Sequence, residues 1–220
     1  MKGNFPEKYA ILLLGPPGVG KFEYCLDLTW HYLTSGESVI YITTERGPDE
    51  VKERARAIGL DLEAYEGRSL IFVDGYSWSV GKKYAAGYSI ENPSNLNEIN
   101  IKIKKAVDQL SPRRRLIFDS LSPLFLHNSA DAVTKFFQVL TSRTKTEYGS
   151  ILCTLQEGVH DPRIVNTLVY LVDGLIEMEY EEGKKLMRKL RIHHLRGVQV
   201  DQSWIKFDIT DKGIRIRNKP

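Results

Sequence analysis

Gly15-Pro16-Pro17-Gly18-Val19-Gly20-Lys21-Phe22 follows the apolar run Ala10 to Leu14 and opens a stretch of helical periodicity that begins near Lys21. Strand, glycine-rich loop and helix, in that order, form the setting in which a loop holds phosphate. Glycines let successive backbone N–H groups turn inward around an anion, the helix N-terminus adds positive potential, and a lysine supplies a point charge for the outer phosphates. The stretch agrees with G-x-x-x-x-G-K-[ST] at every fixed position but the last, where a hydroxyl would ligate magnesium and Phe22 has none to offer. These residues predict a nucleotide site on Gly15, Pro16, Pro17, Gly18, Val19, Gly20, Lys21 and Phe22 with a damaged metal position. The competing reading is a tight strand-to-helix turn that binds nothing.

On both sides of this loop, short apolar runs alternate with helical stripes. Tyr9 to Leu14 reads as the first strand, and the helix after the loop runs to about Ser35 with Cys25, Leu28, Tyr32 and Leu33 on one face. Ser38 to Thr43 is a strand buried on both faces, Gly47-Pro48-Asp49-Glu50 starts a helix that ends near Gly59, and Ser69 to Val73 is a third strand. Asn95 and Glu98 are spaced as a capping box before the stripe Ile99, Ile103, Val107, Leu110. Leu116 to Asp119 is a fourth strand, preceded by Arg113-Arg114-Arg115, which reads as a solvated turn. Ser129 caps a helix carrying Val133, Phe136, Phe137 and Leu140, and Ser150 to Leu155 is a fifth strand.

From Leu171 onward the runs pair as hairpins. Leu171 to Tyr180 and Leu186 to Leu195 flank Glu181-Glu182-Gly183-Lys184, while Ser203 to Thr210 and Ile214 to Arg217 flank Asp211-Lys212-Gly213. The expected fold class is α/β: a mostly parallel central sheet flanked by helices and finished by C-terminal antiparallel hairpins. At 220 residues the chain forms one domain, 1–220.

Apolar and charged fractions of 42% and 27% belong to an ordinary globular domain, and no apolar run is long enough to cross a bilayer. The first eight residues, MKGNFPEK, lack the apolar stretch of a secretory signal, so a cytoplasmic protein without membrane contact is expected. Cys25 and Cys153 sit in apolar patterns and read as small core residues. A net charge of +3 is too small to argue for nucleic acid by itself.

Four further residues carry candidate chemistry. Asp119 ends the apolar strand LIFD about a hundred residues beyond the loop, where a carboxylate can hold water on magnesium, or simply cap a turn. Glu45 ends the second strand and can orient water against a terminal phosphate, or pair with Arg46. Gln156, at the exit of the fifth strand, can sense the same phosphate through its amide or satisfy backbone groups. Arg196, in His193-His194-Leu195-Arg196-Gly197, can reach a neighbouring subunit's nucleotide or stand as an ordinary exposed strand-end arginine. The adjacent histidines lack a partner at ligand spacing. Residues 75–94 interleave Tyr76, Trp78, Tyr84 and Tyr88 with Lys82 and Lys83, a mixture suited to single-stranded DNA or to packing on a partner subunit.

In order along residues 9–217, GPPGVGK, YITTER, LIFDSLSPLF, the glutamine after the fifth strand, VDGLIEM and HHLRG resemble the KaiC-like and RadA-paralogue branch of the RecA superfamily, of the archaeal type. The resemblance implies a RecA-like phosphate-loop fold that binds ATP and magnesium, and a homo-oligomer, ring or filament, with nucleotide between subunits. It also implies roles: Lys21 for the phosphate lysine, Asp119 for the metal-side aspartate, Glu45 for the water-activating glutamate, Gln156 for the phosphate sensor and Arg196 for the inter-subunit finger. The departures are Phe22 for threonine or serine, Arg46 for a frequent second glutamate, His194 for a lysine, and a shorter segment before the first strand. Together these predict an ATP-binding assembly or regulatory module that hydrolyses slowly or not at all. The alternatives are an active DNA-dependent ATPase accessory to recombination and a scaffold that binds no nucleotide.

Overall fold

The computed structural model describes residues 5–181, 183 and 186–217. In chain order its strands are β1 (Ala10–Gly15), β2 (Ser38–Thr43), β3 (Leu70–Asp74), β4 (Tyr88–Ser89), β5 (Arg114–Asp119), β6 (Ser150–Gln156), β7 (Gly174–Glu181), β8 (Met187–Leu195), β9 (Ile205–Thr210) and β10 (Gly213–Ile216). The helices are α1 (Lys21–Thr34), α2 (Pro48–Ala57), α3 (Leu96–Gln109), α4 (Leu124–His127), α5 (Ala130–Arg143) and α6 (Pro162–Leu171). One sheet runs β10-β9-β8-β7-β1-β6-β5-β2-β3-β4. Strands β7 to β4 in that order are mutually parallel, and β8, β9 and β10 extend the sheet antiparallel beyond β7. The expected α/β class with C-terminal hairpins is therefore observed.

Parallel strands require crossovers, and the helices supply them on both faces. Core on one side joins α3, α5 and α6 to the sheet through residues such as Ile103, Phe118, Phe137 and Leu168. Core on the other joins α1 and α2 through Leu26, Leu33, Val51 and Phe72, with Phe207 of β9. Covered on both sides, β2 is buried at every position and β1 at all but Leu14, so neither alternates. Cys25 and Cys153 are buried in opposite cores, where burial pushes both thiols up and keeps them protonated.

Caps behave as read, with one refinement. Asn95 Oδ1 accepts from Glu98 N at 3.1 Å, but the Glu98 carboxylate accepts from the backbone N–H groups of Glu91 and Asn92, fastening the preceding loop as well as the helix. Ser129 Oγ accepts from Ala132 N at 3.3 Å. The predicted turn at 181–184 rests partly on residues 182 and 184, outside the described residues; Glu181 and Met187 on either side are paired.

Two expectations are corrected. Arg113-Arg114-Arg115 is not a solvated turn as a whole: β5 begins at Arg114, and the buried Arg115 Nε meets Glu37 Oε2 at 2.6 Å while its Nη1 donates to Phe5 O and Ser150 Oγ. The strand expected from Leu171 starts at Gly174. Before it lies α6, begun by Pro162 and by Asp161 accepting from Arg163 N at 2.8 Å. Its β-branched run, PRIVNTLVYL, resembles a strand by composition.

The 75–94 stretch is a folded edge. Asp74 Oδ1 accepts from Tyr76 N and Ser77 N, Trp78 Nε1 donates to Gly75 O at 3.0 Å, and Tyr88–Ser89 pairs in parallel with β3. Tyr84 stands edge-on to Phe72 and donates its hydroxyl to Glu66, and Lys83 pairs with Glu91 at 2.6 Å. These contacts hold the loop's aromatic residues and one of its lysines within the chain and cover an otherwise open sheet edge. Among the described residues no helix is long and apolar enough to cross a membrane.

Glu37 and Arg115 form a buried ion pair, and losing one partner strands the other charge. Arg115→Ala is expected to lower the unfolding free energy by about 3–5 kcal/mol, measured by urea denaturation. Arg113→Ala, at 3.9 Å from Glu37 and largely exposed, should change it by less than about 1 kcal/mol.

Candidate functional site

Register brings the candidate residues together. Gly15 of β1 lies opposite Gln156 of β6, and Thr43 of β2 lies opposite Asp119 of β5. Because these strands are parallel, the loop after β1, Glu45 just after β2, Asp119 and Gln156 all collect at the sheet's C-terminal end, where α/β sheets place ligands.

The loop's backbone explains its glycines. Gly18 and Gly20 have φ of +75° and +112°, the left-handed region that side chains resist, and Gly20 stands as the N-cap of α1 without any side-chain cap. A Cβ on Gly20 would lie 2.9 Å from Ile209 Cδ1 of β9, and the Tyr180 hydroxyl of β7 donates to Pro17 O at 3.4 Å. The antiparallel extension therefore leans on the loop. With its first N–H groups uncapped, α1 offers donors and positive potential to an anion.

Lys21 is 5% exposed and uses its three N–H donors within the chain, on Gly15 O at 2.6 Å, Pro16 O at 2.9 Å and Gln156 Oε1 at 2.7 Å. Burial lowers its pKa to about 8, against the pull of Glu45 and Asp119. Gln156 passes the contact on, its Nε2 donating to Glu45 Oε1 at 3.3 Å. Glu45 Oε2 lies 3.6 Å from Arg46 Nη1. Asp119 is buried, with Oδ1 accepting from Thr154 Oγ1 at 2.7 Å and Oδ2 from the Tyr41 hydroxyl at 3.2 Å. Burial pushes its carboxyl above the usual range, and the Thr154 hydroxyl pulls it back. Glu45 thus pairs with Arg46, the Gln156 amide bonds two side chains and no backbone group, and both residues line the loop's cavity.

That cavity, about 400 Å³, is lined by Lys21, Phe22, Glu45, Arg46, Asp119 and Gln156 together with Glu23, Arg54 and Arg188. Three side chains that sequence reasoning passed over take part in the site. Tyr41 and Thr154 are polar residues inside apolar strand runs, a signal visible in SVIYIT and SILCTL. Ser122 Oγ accepts from Gln156 N and lies 2.9 Å from His160 Nε2. Arg196 does not join this site in its own chain. It follows Leu195, which pairs with Gly174 at the opposite end of the sheet, and it reaches Asp173 Oδ1 at 2.8 Å while remaining 61% exposed.

The donor set does not fit a divalent metal in the way the resemblance implies. Position 22 is an aromatic ring, with the Arg46 guanidinium 4.1 Å above its centroid. Both Asp119 oxygens already accept hydrogen bonds.

Comparison with known proteins agrees with this architecture. The KaiC ATPase family description matches residues 1–220. A UPF0273 protein of Methanopyrus kandleri is 29% identical over 98% of this chain and 86% of its own length, and one of Pyrococcus furiosus is 28% identical over 97% and 87%. The crystal structure of a KaiC-like protein of Pyrococcus horikoshii superposes with a TM-score of 0.81 at 18% identity, over 98% of this chain and 92% of that one.

The depressed Lys21 pKa sets a pH signature. Between about 8 and 10.5 the unfolded lysine keeps a proton that the folded one has lost, so its contribution to stability rises with pH across that window. The unfolding free energy of the wild type minus that of Lys21→Met should therefore increase from pH 8 to 10.5. A flat difference in denaturation series would show that Lys21 titrates normally.

Proposed function

The chain belongs to the KaiC family of ATPases, and on that premise we propose that it binds ATP at Gly15–Phe22 and hydrolyses it slowly or not at all, as a nucleotide-dependent assembly or regulatory module. The observation that carries the reading is the bonded chain from the loop through Lys21 and Gln156 to Glu45, which touches both the phosphate cradle and the would-be base. A terminal phosphate entering Lys21's shell must share or displace the carbonyls and the Gln156 oxygen now bonded there. Binding would then move Gln156 and, through its amide, Glu45. This is the arrangement of a sensor.

Slow turnover rests on position 22. Phosphoryl transfer depends on positive charge fixed across the outer phosphates, and magnesium supplies that charge in the family when bound. Here the hydroxyl is absent and an aromatic ring replaces it. What remains is a base candidate, Glu45, held by Gln156 and drawn towards Arg46. Glu45 and Asp119 sharing one cavity also support the second reading, an active ATPase.

Assembly enters through Arg196. Its exposure at the end of the sheet opposite its own loop supports contact with a neighbour stacked head to tail, and Asp173 holds it meanwhile. For the 75–94 loop, packing within the chain favours a structural role over nucleic acid, since Tyr84, Trp78 and Lys83 are already engaged.

Lys21→Ala should weaken ATP binding at least tenfold in a calorimetric titration, since a charge-assisted bond contributes about 1.5–3 kcal/mol. Wild-type turnover should fall far below about 10 per second; brisk hydrolysis would favour the active enzyme.

If Arg196 meets a neighbour's nucleotide, Arg196→Ala should reduce an ATP-dependent oligomer in light scattering while leaving nucleotide affinity nearly unchanged. A particle of constant mass with and without ATP would remove the assembly role.

A further inference from the structure

Two departures from the family pattern, Phe22 and Arg46, lie 24 positions apart in the sequence and touch in the fold. Phe22 stands at the motif position of the missing hydroxyl, its ring packed against the core beneath α1, and the Arg46 guanidinium lies over that ring 4.1 Å from its centroid. We propose that this pair replaces the metal: Arg46, shelved on Phe22, is a built-in cation that binds the outer phosphates of ATP, so that nucleotide is held without a divalent ion. The inference rests on the nucleotide-binding reading and says how that binding is made.

The position of Arg46 is fixed from below and from its own backbone. An arginine stacks on an aromatic face through its planar, delocalised charge, and it keeps that charge at every pH the protein survives. Arg46 O accepts from Thr43 Oγ1 at 2.7 Å, which holds the turn out of β2. Glu45 Oε2 at 3.6 Å and Glu50 Oε1 at 3.4 Å pair with Arg46 at ion-pair distance, beyond the roughly 2.7–2.9 Å of a charge-assisted hydrogen bond. The guanidinium thus spends no short hydrogen bond on either carboxylate, and a phosphate can take its donors in the planar, forked geometry that suits them.

A second observation comes from the other wall of the cavity. Arg188 lies over the Tyr180 ring at 5.8 Å, and its Nε is buried without an acceptor among the described residues. A buried N–H without an acceptor is costly, and an anion in the cavity is one group that would satisfy it. Lys21, Arg46, Arg54 and Arg188 line this space against Glu23, Glu45 and Asp119, and Arg54 is spent on Glu23 at 3.0 Å. A divalent ion brought to position 22 would meet a guanidinium and no hydroxyl. An anionic ligand meets fixed positive charge.

The test is ATP titration by calorimetry on the full chain, in excess EDTA and again in magnesium. The wild type should bind with affinities within about threefold of each other, because the charge magnesium would bring is already there. Arg46→Met, which keeps apolar contact with the ring, should lose about tenfold or more in EDTA, the loss of one charge-assisted contact. Arg46→Lys should fall between the two, since a point charge replaces a planar fork. Phe22→Thr combined with Arg46→Met should become magnesium-dependent by more than about tenfold. Thermal unfolding of each variant verifies its fold, and Arg46→Lys still tests the charge if Arg46→Met fails to fold. Wild-type binding that collapses in EDTA, or Arg46→Met binding unchanged in EDTA, overturns the inference while leaving nucleotide binding standing. No ATP binding in either buffer overturns the nucleotide reading itself.

Discussion

A buried ammonium cannot be left without acceptors, and Lys21 meets that demand with two carbonyls of its own loop and the amide oxygen of Gln156. Much of the site's arrangement depends on this. The bonds to Gly15 O and Pro16 O curl the loop about the lysine, and the bond to Gln156 ties the loop to β6. None of the three acceptors is a carboxylate, and burial lowers the Lys21 pKa because the pull of nearby Glu45 and Asp119 does not offset the loss of water. A lysine held by neutral dipoles is one an anion can recruit.

The metal side of the same cavity is built differently. Asp119 is caged by Thr154 and Tyr41, and Phe22 offers a ring where a hydroxyl is usual. The cavity thus joins the glycine loop and Lys21 at one end to Asp119 and the Phe22–Arg46 pair at the other.

Most of the fold was legible because apolar runs of a doubly covered sheet and helical stripes are local signals. β2 was placed to the residue, and the stripes of α3 and α5 are buried as read. What escaped depends on tertiary context. α6 carries Ile, Val and Thr at positions whose helical state is decided by Pro162, Asp161 and packing on α5. Arg115 looked solvated because its partner, Glu37, is far away in sequence and comes beside it only when β2 pairs with β5. In the candidate site the phosphate loop, Asp119, Glu45 and Gln156 could be named from strand ends alone. Arg46 could be seen to depart from a pattern, but its contact with Phe22 forms only when the turn after β2 comes beside the first turn of α1. The contact between Arg196 and Asp173 similarly depends on the hairpin that returns β8 to the beginning of β7.

The contact of Ile209 with Gly20 has a mechanical side. β9 is joined through β8 and β7 to the middle of the sheet, and its side chain rests on the residue that turns the loop into α1. Any side chain at position 20 would press on Ile209, so the packing of the outer strands and the turn into α1 constrain each other at a position that must stay glycine.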